Sequence, residues 1–192
     1  QLCDRCALGH RGPGDGEVAL GEHAEAVGVL GVAAEAGGGE AAGEKRHPFR
    51  VRYRLGAEPD GRITALATEF DINGGACADL SMAILERAML HADNAYFIPA
   101  IRIESHRLKT NTQSNTAFRG FGGPQGMFAI EYVIDDIAGK LGKDTCEVRR
   151  RNFYGKGERN VTQYRQVVED NILDELFDRL LARSDYAKSR AA

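Results

Sequence analysis

The hydrophobic and polar positions fall into two vocabularies that meet at Lys45. Beyond it, Phe49-Arg50-Val51-Arg52-Tyr53-Arg54-Leu55 alternates apolar and basic residues with a period of two, which predicts a half-buried strand. Glu58-Pro59-Asp60-Gly61 is a turn signal, and Ile63 to Ile72 predicts the returning strand of a hairpin ended by Gly74-Gly75. Asp79 predicts a capped helix through about Ala92, and Ile101 to Leu108 a third strand with Ile101, Ile103 and Ser105 on one face. The polar run Thr110 to Thr116 then opens onto a helix. Pro124 suits its first turn, Met127, Ile130, Ile134, Ile137 and Leu141 recur at three- and four-residue steps, and Gly142 closes it. Asp144 caps a short basic helix ending near Tyr154, and Ile172 to about Ala191 predicts one or two terminal helices. The fold class is α/β, of the α+β kind: a short antiparallel sheet with flanking helices, not a closed architecture.

Residues 1–44 read differently. They hold eleven of the 23 glycines, eight acids against two arginines, no lysine, and none of the Phe or Tyr side chains. Val27 to Val32 is their one apolar patch, and Gly37-Gly38-Gly39 breaks any helix started at Ala33 to Ala36. A core is therefore expected only after Lys45, with 1–44 disordered or loosely attached. That vocabulary resembles GC-rich coding DNA read out of frame. Three parts follow: a 1–44 leader, a main unit over 45–155, and a helical segment over 156–192.

Composition changes little. A net charge of −3 over 192 residues excludes an electrostatic nucleic-acid binder as the default. Without an apolar stretch of about eighteen residues or a secretory pattern, no membrane partner is expected and the expected compartment is cytoplasmic. Cys3, Cys6, Cys77 and Cys146 read as free thiols. Cys3-Asp4-Arg5-Cys6 with His10 has the spacing of three zinc ligands but no fourth follows, so no metal site is assigned. No nucleophile elbow occurs, and Arg149-Arg150-Arg151 reads as a solvated or ion-paired helix face.

Two constellations could carry chemistry. On the helix from Asp79 to Ala92, Leu80, Ala83, Ile84, Leu85, Ala88, Met89 and Leu90 point almost all round, which predicts a buried helix with Arg87 among its apolar residues and His91 sharing its face. A buried guanidinium needs a carboxylate, carbonyls or an anionic ligand, and a structural ion pair is the plainer reading. The second is Phe118-Arg119-Gly120-Phe121-Gly122-Gly123-Pro124-Gln125-Gly126, where four glycines allow close backbone approach at a helix N-terminus. Free amides there would suit an anion, and a purely structural turn is equally open. The glycine spacing is not that of the dinucleotide fingerprint.

Together the segments Lys45-Arg46-His47-Pro48-Phe49, Glu86-Arg87-Ala88, His91-Ala92-Asp93-Asn94-Ala95-Tyr96, Lys109-Thr110-Asn111 and Ser114 to Gly126, in that order, closely resemble the molybdenum-binding part of the xanthine dehydrogenase/aldehyde oxidase family. Arg159 to Tyr164 and Val168 to Leu173 resemble the bacterial form, whose molybdenum subunit is a separate chain. The resemblance covers 45–192. It implies part of a molybdopterin-binding domain and a purine hydroxylase that takes its oxygen from water. Arg119 would touch the cofactor through its main chain, Phe121 would pack on the purine, and Arg87 would orient the substrate and stabilise charge on its ring. It also implies 2Fe-2S and FAD on other domains or on a partner subunit, a hetero-oligomer, and an internal fragment inactive alone, since no Glu here matches the family's base. An aldehyde-oxidising relative and a non-catalytic remnant are the alternatives.

Overall fold

A computed structural model describes residues 4–10, 24–32 and 46–191. Its elements are β1 (Asp4–His10), β2 (Ala24–Val32), β3 (Phe49–Ala57), β4 (Ile63–Gly75), α1 (Ser81–Leu90), β5 (Ala100–Lys109), α2 (Gly123–Leu141), α3 (Thr145–Asn152), α4 (Leu173–Ser184) and α5 (Tyr186–Ala191). The strands form one sheet in the order β1-β5-β4-β3-β2.

The predicted hairpin is β3 and β4, paired antiparallel with Phe49 opposite Ile72 and Leu55 opposite Leu66. Period-two alternation sends Phe49, Val51, Tyr53 and Leu55 into the core. The α/β class stands, but the sheet is mixed: β5 runs parallel to β4. A parallel neighbour needs a crossover, and the segment carrying α1 provides it.

The expectation of disorder across 1–44 is corrected for the described residues. Asp4–His10 pairs with β5 and Ala24–Val32 pairs with β3, both antiparallel. Open edges of β5 and β3 offer unpaired backbone groups, and the Val27 to Val32 patch suits such an edge. Gly28 also has a steric role: a Cβ there would stand 2.5 Å from the Tyr53 hydroxyl, which donates to Asp136 on α2 at 2.9 Å.

One face of the sheet is apolar and carries α1 and α2. Ile130, Val133, Ile134, Ile137 and Ala138 of α2 are buried with Ile84, Leu85, Ala88 and Met89 of α1, while Met127, expected among them, is exposed. The other face carries charge across the strands, with Arg50 on Asp71 at 2.7 Å and Arg52 on Glu69 at 2.5 Å. α3 starts as predicted, the Asp144 side chain accepting from the amides of Cys146 and Glu147. Its last residue, Asn152, ties the hairpin turn down: Oδ1 accepts from the Ile63 amide, and Nδ2 donates to the carbonyls of Gly61 and Val148, each at 2.8 Å. Asp79 does not cap α1 as expected. Leu80 is the cap residue, and the Asp79 carboxylate accepts from the Thr116 hydroxyl instead.

Candidate functional site

The crossing of α1 and α2 brings the two constellations together. A Cβ placed on Gly122 would strike the Ile84 carbonyl, and one on Gly126 would strike the Ala88 carbonyl. A third, on Gly123, would stand 2.8 Å from the His91 ring and 3.7 Å from Arg87 Nε. The glycines therefore admit the backbone and edge of α1 itself. Arg87, 36 residues earlier in the chain than Gly123, consequently lies at the N-terminus of α2 with His91 one turn on.

The amides at that terminus are consumed by the turn. Gly123 donates to the Gly120 carbonyl at 3.0 Å, Gln125 and Gly126 both donate to the Gly122 carbonyl at 3.2 Å, and Pro124 has no N–H. An anion site built from free helix amides is not what this terminus offers. Its exposed face is the preceding turn, where Gly120, Phe121 and Gly122 have successive φ values of +92°, +50° and +94°. For phenylalanine that left-handed conformation is strained. Phe118, Arg119 and Gly120 are exposed, and Phe121 is half-buried against the core.

The expected burial of Arg87 is corrected: it is exposed. α1 covers the sheet with Ile84, Leu85, Ala88 and Met89, while Leu80 and Leu90 stand 45% and 38% exposed. Its guanidinium therefore meets no desolvation cost of the size a buried position would impose.

Three residues with buried polar atoms emerge, and of these only Gln125 lies in a segment that sequence patterning singled out for chemistry. Arg46 Nη1, His47 Nδ1 and Gln125 Oε1 are buried without a hydrogen-bond partner among the described residues. All three lie on the Gly-rich turn or the segment beneath it. Arg46 donates from Nη2 to the Arg119 carbonyl at 2.7 Å and stacks 4.4 Å over the Phe118 ring. His47 Nε2 shares a hydrogen bond with the Ser81 hydroxyl at 2.7 Å, and Gln125 Nε2 donates to the His47 carbonyl at 3.3 Å. Burial pushes the His47 imidazole below its ordinary value of 6.5, against the opposing pull of Asp79 and the Thr116 backbone. Burial also raises Asp93, whose carboxylate accepts from the Tyr154 hydroxyl at 2.5 Å behind α1.

The sequence model of the molybdopterin cofactor-binding domain matches residues 40–153, more than half of the chain. The chain belongs to this family. Xanthine dehydrogenase of Calliphora vicina is 45% identical over 145 residues, 76% of this chain and 11% of that protein. Xanthine dehydrogenase/oxidase of Mus musculus is 46% identical over 141 residues, 73% of this chain and 10% of that one. Among solved structures, the aldehyde oxidoreductase from Desulfovibrio desulfuricans superposes with a TM-score of 0.70 at 31% identity, over 77% of this chain and 16% of that chain. The chain thus spans about a tenth of the length of the curated relatives it matches. β1 and β2 lie before the family match, which begins at residue 40.

The turn has features that fit an oxygen-rich cofactor. Arg46 Nη1 is a buried donor with no partner among the described residues, and Gly120 presents exposed left-handed backbone beside it, a Cβ there being 3.9 Å from Nη1. A separate cluster does less. Glu69, Asp71 and His106 place ligand atoms within 4.8 Å of one another on the charged sheet face, but Arg50 and Arg52 already compensate both carboxylates. Cys77 and Cys146 are free thiols, whereas Cys3 and the side chains of Cys6 and His10 lie outside the described residues. Among the described residues no helix is long and apolar enough to cross a membrane.

Proposed function

We propose that this chain forms the cofactor- and substrate-facing part of a molybdenum hydroxylase that oxidises purines, hypoxanthine and xanthine to urate, with water as the oxygen source. The observation that carries this reading is the meeting of Arg87 with the Gly-rich turn, 3.7 Å from a Cβ at Gly123. The xanthine dehydrogenase relatives support the substrate class. The molybdenum cofactor, when bound, supplies two-electron oxidation of an electron-poor ring carbon. The Arg119 main chain and the open donor of Arg46 would hold it. Phe121 would pack on the purine and keep it in place, and Arg87 would stabilise negative charge gathering on the ring.

Such stabilisation depends on a dry site. A charge pair at 4 Å is worth about 1 kcal/mol in water and several-fold more near a protein surface. Arg87 is exposed among the described residues, and on this reading the wall that dries it would come from the rest of a longer subunit. The same assembly would supply 2Fe-2S and FAD on other domains or on a partner subunit, as a cytoplasmic hetero-oligomer of the bacterial type.

An aldehyde-oxidising hydroxylase is the second reading, favoured by the similarity to the Desulfovibrio desulfuricans structure. The test is Arg87→Met in the cofactor-loaded enzyme. Purine oxidation should fall about 100-fold in kcat/KM while aldehyde oxidation stays within about threefold. Equal losses on both substrates, or none, sink the purine reading. A cofactor-loading attempt that leaves no molybdenum on the chain and no oxidation supports a non-catalytic remnant.

A further inference from the structure

We propose that Arg46 is the positioning residue that locks the Phe118–Gly122 turn in its left-handed form and so sets the Arg119–Gly120 peptide and the Phe121 ring. The aim toward the cofactor rests on the function proposed above; the lock itself does not.

Three successive residues at positive φ make a turn that local preferences oppose at Phe121, so it persists only if something outside it holds it. Its internal bonds, Phe121 to the Phe118 carbonyl at 2.8 Å and Gly123 to the Gly120 carbonyl at 3.0 Å, leave the Arg119 carbonyl for an outside donor. Arg46 is that donor, reaching across 73 residues from the segment before β3. It grips twice: Nη2 on the Arg119 carbonyl at 2.7 Å, and the guanidinium carbon over the Phe118 ring at 4.4 Å from its centroid. Two contacts on adjacent residues, a directional hydrogen bond and a cation–π contact, fix the peptide between them from two sides. The anchor is firm because the next residue, His47, is 1% exposed and bonded to Ser81. Lysine reproduces the grip only in part, since a compact ammonium cannot reach the carbonyl and the Phe118 ring at once as the forked guanidinium does.

Limited trypsin digestion of the 192-residue chain, followed by mass spectrometry, reads the lock at the Arg119–Gly120 bond, with the exposed Lys156–Gly157 bond as internal reference. Arg46→Met should speed cleavage at Arg119 about tenfold relative to the reference, with Arg46→Lys between the two. Phe118→Leu, which removes the stacked ring and leaves the hydrogen bond, should also speed it by a smaller factor, and it decides the matter if Arg46→Met does not fold. Unchanged relative cleavage, or equal acceleration at both bonds, overturns the lock. Molybdenum bound per chain in the loaded enzyme gives the second readout. It should fall in Phe118→Leu, which loosens the turn and leaves both Arg46 donors in place. A loosened turn with unchanged molybdenum content overturns the aim toward the cofactor and, with it, the reading of this turn as cofactor-facing.

Discussion

Gly122 and Ile84 meet backbone to backbone: no Cβ fits between the Gly122 Cα and the Ile84 carbonyl oxygen. This crossing sets Arg87 beside the Gly-rich turn, so it positions the site as well as the core. Gly122→Ala adds both a clash and an L side chain at a φ of +94°, and Gly126→Ala adds a clash with the Ala88 carbonyl. Each should cost about 2–4 kcal/mol in urea unfolding. Gly139, in the same helix with nothing within 4 Å of its Cβ position, is the control: Gly139→Ala should stabilise by about 0.5–1 kcal/mol.

Asn152 is fully buried and serves three backbone groups on two elements. Asn152→Ala strands the Ile63 amide and the Gly61 carbonyl, which should cost on the order of 3 kcal/mol by chemical denaturation. Asn152→Asp keeps the acceptor but loses the two donated bonds, and should be no milder at neutral pH.

His47 makes stability depend on pH. Its folded-state value lies below 6.5, so the unfolded chain takes up a proton that the folded chain resists. The contribution is full above about pH 6.5 and is lost as pH falls toward the folded-state value, at up to about 1.4 kcal/mol per pH unit. Urea unfolding at about pH 7.5 and about pH 5.5 should show the drop, and His47→Gln should flatten it.

α4 presents Ile172, Leu176 and Leu180 at 62%, 56% and 59% exposure from its cap and one face. The same chain also exposes Leu80, Leu90, Phe118 and Phe128. Apolar surface on this scale should make the 192-residue chain bind a hydrophobic dye, and Leu176→Lys with Leu180→Lys should lower the signal without changing helix content by circular dichroism. A dye-silent wild-type chain would show that these faces are covered in solution.

The β3–β4 hairpin, the α2 stop at Gly142 and the Asp144 cap were legible because each rests on a local signal: alternation, a left-handed glycine, a side-chain oxygen near free amides. Arg87 was legible as an unusual position, but its exposure was not, because apolar residues around a helix do not say which sides are covered. Arg46 left no signal of its own. A basic residue before a strand reads as solvated, and only the turn folding onto it reveals a buried donor.

By itself the sequence determined the type and approximate ends of most elements after Lys45, and the run from Ser114 to Gly126 that marks the family. Tertiary structure alone decided that β5 runs parallel to β4, that Ala24–Val32 and Asp4–His10 join the sheet, and that Gly122, Gly123 and Gly126 serve a helix crossing rather than an amide cradle. The reason is one of range. Periodicity, caps and turns are set by residues within a few positions of one another, whereas strand direction, edge pairing and burial depend on which distant segments come to lie alongside.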